Sequence, residues 1–189
     1  PPPPPPPPQF DRRRQRQMCI RDSSRGNRPI SFEVRIPVSA EKVWNQMISP
    51  GNAVLWHPFV HEHLAENWSG VGSKDKVTYN SGASFEREVI DWVEGIGFDL
   101  KVTENGRNEI LVSWSLTKLV DKSFNLKVTA HVVFLKKLPL PIRWAVYKLK
   151  IKPNFSTYLE LSMKGFAFYA TTGEKVKRNQ FGTHPLFSP

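Results

Sequence analysis

Between residues 62 and 135 the sequence alternates apolar and polar residues, and this pattern constrains the fold more than any other feature. A period of two places successive side chains on opposite faces of a β-strand. Gly, Asn, Asp or Ser residues divide the pattern into short segments, and Asn105-Gly106 is a typical hairpin turn. Short connections of this kind join antiparallel strands. The six strand-like segments are EHLAENW, KDKVTYN, FEREVIDWVE, FDLKVTE, EILVSWSLTKL and SFNLKVTAHVVFL.

The last three segments predict a sheet with one apolar and one polar face. Such an antiparallel sheet faces water on one side and must bury the other side against a second layer. The residues expected on the buried face are Phe98, Leu100, Val102, Ile110, Val112, Trp114, Leu116, Phe124, Leu126, Val128, Ala130, Val132 and Phe134.

Two segments with helical periodicity flank these strands. The first, SAEKVWNQMIS, follows the strand-like SFEVRIPV and begins with Ser39, a residue that can cap a helix. The second, NFSTYLELSMKGFAFYATTG, is expected to run from a cap at Asn154 to a stop at Gly173, and Gly165 within it predicts a close approach. The predicted order is therefore β-α-β6-α. The face of the second helix expected to cover the sheet consists of Phe155, Leu159, Met163, Phe166 and Ala170.

The first residues do not fit this pattern. Pro1–Pro8 precede RRQRQMCIRDS, a basic segment that could contact phosphate or act as a transit peptide, although a proline run cannot supply an amphipathic repeat. Back-translation of residues 13–23 matches a transposase-type sequencing adapter. We interpret residues 1–22 as a translated adapter and expect residues 1–23 to be non-native and disordered. A single domain is expected over residues 24–189, with a core at 31–177 and a tail at 178–189.

The remaining composition excludes several classes of protein. Without residues 1–22 the net charge falls from +10 to +7, and no cysteine is left once Cys19 is removed. Disulfide frameworks, cysteine-ligated zinc and thiol nucleophiles are thereby excluded. No apolar run approaches the roughly 20 residues that span a bilayer, and phosphate-binding glycine loops are absent. We therefore expect a cytoplasmic, soluble domain without a permanent cofactor.

The order of elements resembles the START-like superfamily (SRPBCC, the helix-grip fold), which groups birch-pollen-allergen-like proteins, lipid-transfer domains and polyketide cyclases/dehydrases. The resemblance is carried by IPVSAEKVWNQMISPGNAVLWHP, by GVGSKDKVTY and by the aromatic closing helix that runs into TTGEKV, and it covers residues 31–177. It implies an α+β fold in which a curved antiparallel sheet wraps around a long C-terminal helix. It also implies a hollow for a hydrophobic small molecule, without implying one chemistry.

Aromatic residues near the walls of this hollow are the candidates for ligand binding. An apolar cleft with a few polar groups is the usual form of a ligand site. The alternative for each residue is packing in a solid core. The candidates are Trp56, Phe59, Tyr79, Trp114, Tyr158, Ser162 and Phe166.

Two sharper chemical hypotheses concern acidic and histidine residues. If the protein is an enzyme, Glu88 with His57 is the expected catalytic pair, because a desolvated carboxyl group can act as a general acid or base. The alternative places Glu88 on the wet face. His57, His61 and His63 are close enough in sequence for a metal site, but their spacing lacks further ligands, and no metal is expected.

The basic run LKKLPLPIRWAVYKLKIKP suggests a second partner. Cations among apolar residues suit an anionic membrane surface, whereas the alternative is a solvated edge with lysine stems lying over apolar surface. No nucleic-acid binding is expected. The residues concerned are Lys136, Lys137, Arg143, Lys148, Lys150 and Lys152.

Three functions remain open at this point. The first is binding or transport of a lipid or a polyketide-like aromatic molecule in the hollow. The second is an enzyme of the cyclase/dehydratase kind that uses a carboxylate in the cavity. The third is a protein-interaction module of the chaperone-activator type, in which the hollow is filled by side chains.

Overall fold

A computed structural model describes residues 29–65, 67–119 and 123–188, so the predicted non-native segment 1–23 lies outside the described residues. The chain forms seven strands and four α-helices, with one 3-10 and one π-helical turn among the described residues. In chain order the elements are β1 (Ile30–Ile36), α1 (Ala40–Ile48), α2 (Ala53–Trp56), β2 (Val60–Ala65), β3 (Lys74–Tyr79), β4 (Ser84–Val93), β5 (Gly97–Glu104), β6 (Arg107–Lys118), β7 (Phe124–Val132), a 3-10 helix (Phe134–Lys137), α3 (Leu140–Val146), a π-helix (Tyr147–Ile151) and α4 (Lys152–Thr172).

The strands form one antiparallel sheet in the order β1-β7-β6-β5-β4-β3-β2. Each of the six period-two segments is a strand, and the turn at Asn105-Gly106 has positive φ at both residues, which matches the twist of the strands that it joins. The sheet is curved and holds α4 on its concave side. The predicted α+β helix-grip architecture is confirmed. Within the described residues, no helix has the length and apolar character needed to cross a membrane.

The core lies between this concave face and α4. From the sheet, Leu126 and Val128 are almost completely buried, and from the helix Phe166 and Ala170 are fully buried, as the sequence predicts. The apolar face of the sheet and the apolar side of the helix are buried against each other. This burial is the main favourable term in folding.

Gly165 determines how closely α4 approaches α2. A Cβ atom at this position would lie 2.3 Å from the backbone oxygen of Trp56 and 3.0 Å from the Pro58 ring, so no larger residue fits without a backbone shift. The contact holds the turn that carries Trp56 and His57 against the middle of α4. The close approach predicted from the glycine is therefore present, and it positions two residues of the cavity described below.

The start of the terminal helix differs from the prediction. Asn154 does not cap it, because the helical backbone begins at Leu140 and continues through the π-helix into α4. A proline usually ends a helix just before itself, but Pro153 stands in the first turn of α4, directly after the widened π-helical turn. The basic run, for which a membrane contact and a solvated edge were both considered, is consequently mostly helical.

Candidate functional site

A cavity of about 110 Å³ lies between the sheet and the first half of α4. Strands β3 to β7 provide its floor, and α2, α4 and the segment after α4 provide its walls. Most of the lining is aliphatic or aromatic. The lining residues are Ala53, Trp56, His57, Val60, Val77, Tyr79, Phe85, Arg87, Leu100, Val102, Ile110, Val112, Trp114, Val128, Ala130, Phe155, Tyr158, Leu159, Ser162, Met163 and Phe187.

Four polar side chains form one hydrogen-bonded network on the cavity wall. His57 Nε2 lies 3.1 Å from the Tyr158 hydroxyl and 3.0 Å from Ser162 Oγ. The Tyr158 hydroxyl lies 2.6 Å from the hydroxyl of Tyr79. The residues come from the loop after α2, from β3 and from two successive turns of α4. The network therefore exists only when sheet, loop and helix are assembled.

The hydrogen bonds determine the tautomer of His57. Its Nδ1 atom accepts from the backbone N–H of Phe59 at 3.2 Å, so the proton of the neutral ring is on Nε2, which donates to Tyr158 or Ser162. Burial lowers the pKa of His57 to about 3, and the positive charge of Arg87 adds to this effect. At neutral pH the ring is an uncharged hydrogen-bond donor.

The same counting of protons limits the rest of the network. Ser162 donates its own proton to the backbone carbonyl of Tyr158 at 2.6 Å. His57 already donates through Nε2, so the remaining hydrogen bond joins the two tyrosine hydroxyls, and either of them can be its donor. Two hydroxyl protons share this one bond, so one proton of the Tyr79–Tyr158 pair has no acceptor among the described hydrogen bonds. Since burial raises the pKa of both tyrosines, the pair presents a neutral O–H donor at the cavity.

A charged cluster borders the network. Arg87 makes a two-pronged contact with Asp75, with Nε 2.7 Å from Oδ1 and Nη2 bonded to Oδ2. His63 Nε2 lies 2.7 Å from Asp75 Oδ2, and its Nδ1 accepts from the N–H of Ala53. The Arg87 guanidinium also lies 5.5 Å from the centre of the Trp68 ring, within cation–π range.

The cluster remains ionised. Burial by itself would raise the pKa of Asp75, but the Arg87 charge and the hydrogen bonds from His63 and Arg87 hold this pKa below its usual value. Burial likewise opposes the charge of Arg87, and Asp75 outweighs it and raises the arginine pKa. Both carboxylate oxygens of Asp75 accept hydrogen bonds within the cluster. Asp75 is thus the buried structural counter-ion of Arg87.

The segment after α4 closes one side of the cavity. Phe187 packs against Tyr79 and Tyr158, with ring centres 4.4 Å and 5.0 Å apart. His184 is buried, stacks on Phe187 at 4.9 Å and donates from Nε2 to the backbone carbonyl of Asn154 at 3.0 Å. This histidine fastens the segment predicted as a tail to the beginning of α4.

The structure brings together most of the predicted ligand-binding residues. Phe59 is completely buried behind His57 and does not line the cavity. Phe166 packs edge-on against Trp56 and Trp114, at 5.2 Å and 5.9 Å, and belongs to the core beneath the cavity. Phe59 and Phe166 are therefore packed in the core, which was the alternative for each candidate. The candidates that line the cavity are Trp56, Tyr79, Trp114, Tyr158 and Ser162.

Glu88 does not reach His57, and the predicted catalytic pair is not formed. Its carboxylate lies on the outer face of β4, 4.0 Å from Lys74 Nζ, with 40% of the side chain exposed. Along a strand, neighbours point to opposite faces, and Arg87, directly before Glu88, lines the cavity. His57 is in the cavity wall as expected, but its partners there are Tyr158 and Ser162.

The three histidines considered for a metal site are separated. His57 belongs to the cavity network, His63 to the charged cluster, and His61 is exposed on β2. In residues 29–65, 67–119 and 123–188 the structure contains no group of three or more potential His, Cys, Asp or Glu ligands.

Sequence reasoning missed three residues of this site, namely Arg87, Asp75 and Phe187. Arg87 and Asp75 occupy paired positions of neighbouring strands, with Lys74 opposite Glu88 one step away. Opposite charges at paired positions were a usable signal, but the mixed faces of FEREVIDW do not reveal which pair is buried. For Phe187 no periodic pattern existed, because it lies in an irregular segment.

Neither a protein-family model nor a curated protein matches this sequence. Among solved structures, a START superfamily protein from Mycobacterium smegmatis has a TM-score of 0.59 at 15% identity, covering 76% of this chain and 97% of that one. Ara h 8.0201 has a TM-score of 0.58 at 16% identity, with coverages of 76% and 97%.

DynU16, from the dynemicin biosynthetic locus, has a TM-score of 0.59 at 17% identity and covers 79% of this chain. The alignment spans about half of DynU16, 49% of its length. Likeness at these identities reports on backbone architecture alone. The chain has the START-like helix-grip fold.

Proposed function

We propose that this protein binds a small hydrophobic molecule that carries a hydrogen-bond acceptor such as a carbonyl oxygen. The observation that carries the proposal is the apolar cavity lined by the hydrogen-bonded pair Tyr79 and Tyr158, which has one O–H donor to spare. Apolar walls favour the body of such a ligand, and one convergent polar group orients it. A buried donor left without an acceptor is costly, so a ligand that supplies the acceptor is preferred over a pure hydrocarbon.

The volume of the cavity limits the ligand. At about 110 Å³ it is of the same order as the engineered cavity of about 150 Å³ that binds benzene. One aromatic ring with a short substituent therefore suits the site as it stands. A ligand of two or more rings, as in a polyketide, needs more room, and Phe187 is the part of the wall that packs on both tyrosines.

Other functions receive less support. An enzyme of the cyclase/dehydratase kind needs a proton-transfer group, yet no carboxylate is among the described residues that line the cavity. His57 and the two tyrosines are neutral and poor proton carriers near pH 7, because burial shifts their pKa values away from that range. An interaction module with a filled interior is disfavoured by the cavity itself. The anionic membrane contact predicted from the basic run stays a proposal and concerns a different surface.

Replacing Tyr79 and Tyr158 together with phenylalanine should weaken binding of acetophenone about three- to ten-fold, because the pair can then donate no hydrogen bond to the carbonyl oxygen. α-Methylstyrene, in which a CH2 group replaces the carbonyl oxygen, should bind equally well to both proteins. Isothermal titration calorimetry with the two probes measures the difference. Equal losses for both probes would indicate a packing defect, and no loss for acetophenone would remove the donor role of the tyrosine pair; either result contradicts the proposal.

Replacing Phe187 with alanine should admit a larger ligand. We expect 2-acetylnaphthalene to bind the variant about ten-fold or more tightly than it binds the wild type, since the extra ring can then be buried. Leu186→Ala is the matched control, because this neighbouring side chain is exposed and does not line the cavity. The same titrations apply. Unchanged affinity in Phe187→Ala would show that this wall does not limit ligand size.

A further inference from the structure

The helical turns that precede α4 form an exposed apolar surface. None of the side chains of α3 or of the π-helix is fully buried. Leu140, Trp144 and Leu149 are 69%, 61% and 74% exposed, and Ile142 is also largely exposed. Isolated exposed apolar residues are common, but a cluster on one short element marks an interaction site.

The exposed apolar residues recur along the helical backbone. Leu140 and Trp144 are four residues apart, which is about one α-helical turn. Trp144 and Leu149 are five residues apart, and the backbone between them passes from α3 into the π-helix. All three side chains face solvent, and together they are the stripe of exposed apolar residues. Tyr147 and Ile151 of the same segment are half-buried and pack against the core.

The charged residues in this part of the chain are all of one sign. Between residues 123 and 159 the sequence contains no Asp or Glu. Lys148 lies with Nζ 4.8 Å from the centre of the Trp144 ring, so cation and aromatic side chain share one surface. The side chain of Lys136 lies outside the part that the structure describes. The described basic residues of this surface are Lys137, Arg143, Lys148, Lys150 and Lys152.

We propose that α3 and the π-helix dock this protein on an anionic lipid surface. An interfacial helix of this type places Leu and Trp into the boundary between headgroups and acyl chains while its cations contact anionic headgroups. A second copy of the chain is a poor occupant, because both copies would bring the same cations to the contact and each carries a net charge of +7 even without residues 1–22. Charge complementarity therefore favours the lipid surface.

The docked surface adjoins the cavity. The helix continues directly into α4, where Phe155, one turn after Ile151, lines the cavity. Docking through α3 and the π-helix would bring this end of the cavity close to the membrane. The docking itself does not depend on which molecule the cavity binds, so the two proposals can fail separately.

Vesicle flotation with the full chain tests the docking. Vesicles contain phosphatidylcholine alone or a mixture with phosphatidylglycerol. We expect binding to the mixture only. The triple variant Lys148→Gln, Lys150→Gln, Lys152→Gln should bind about 100-fold more weakly, at about 1 kcal/mol for each cation. The double variant Trp144→Ser, Leu149→Ser should lose at least about ten-fold, because its apolar side chains no longer enter the interface.

A matched control removes the same charge elsewhere. Lys42, Lys76 and Lys118 are exposed on α1, β3 and β6, and their joint replacement by glutamine changes the net charge equally. This control should bind within about three-fold of the wild type, because it leaves the helical surface intact. Circular dichroism and acetophenone binding should match the wild type in all variants.

Three results would overturn the proposal. The first is equal binding to both kinds of vesicle. The second is binding of the helix variants that equals that of the control. The third is a wild-type dimer in light scattering that the double variant abolishes, which would assign the stripe to a second copy of the chain.

Discussion

Replacing Arg87 with methionine will lower the free energy of unfolding by about 3–5 kcal/mol, the usual cost of removing one partner of a buried ion pair. Methionine retains much of the apolar stem but supplies no charge. The Asp75 side chain, which has no exposed surface, would be left as a buried carboxylate with only the His63 hydrogen bond among its described side-chain contacts. Urea unfolding at pH 7 measures the change.

The same two strands provide the control for this experiment. Lys74 and Glu88 are paired one residue away, at 4.0 Å, with side chains 71% and 40% exposed. We expect Glu88→Gln to change stability by no more than about 0.5 kcal/mol, as for other solvated pairs. The double variant Asp75→Asn, Arg87→Met should recover part of the loss, because no uncompensated charge remains. An Arg87→Met protein as stable as Glu88→Gln would refute the role assigned to the buried pair.

Acidification from pH 6.5 to pH 4.5 will remove about 2–3 kcal/mol of stability through His57. Its pKa of about 3 in the folded protein lies below the value of 6.5 expected for the unfolded chain. Between these two values only the unfolded chain takes up the proton, so stability falls by about 1.4 kcal/mol per pH unit. Well above pH 6.5 the neutral His57 costs the folded protein no stability, and the loss grows as the pH falls from 6.5 toward 3. Urea unfolding at a series of pH values gives the slope.

Substitution of His57 isolates its share of this slope. His57→Gln removes the titrating group. The number of protons taken up on unfolding between pH 6.5 and 4.5, which sets the slope of stability with pH, should fall by about one. Burial also lowers the pKa values of His131 and His184, so both proteins retain some slope. His61→Gln is the control, since that side chain is exposed. If His57→Gln lost stability with acid as steeply as the wild type, the buried neutral imidazole would be ruled out.

The candidate residues that line the cavity share a property that is visible in the sequence. Trp56, Trp114 and Tyr158 are large and combine apolar surface with a polar atom, a composition suited to a wall rather than to a dry core. Phe59 and Phe166 have no polar atom and are completely buried. The distinction was visible in residue type, but the presence of a space beside the rings depends on how far sheet and helix are apart.

The position of Glu88, for which the cavity and the wet face were both considered, depends on a different feature. Strand β4 carries charged residues on both faces, and a shift by one residue exchanges the two faces completely. The face that turns inward is the one on which Arg87 meets Asp75 of β3 and Val89 enters the core. Only pairing with β3 reveals this, because the alternation along β4 alone is equally compatible with both orientations.

The amino-acid sequence by itself determined the strands, the first helix, the antiparallel hairpins and the apolar face of α4. These features depend on neighbours two to four residues apart, and their period is written in the chain. The tertiary structure decided the hydrogen-bond network of His57, Tyr158, Tyr79 and Ser162, the burial of Arg87 with Asp75, and the closure by Phe187. Those contacts join residues up to about a hundred positions apart. Their partners become defined only when the sheet has curved around the helix.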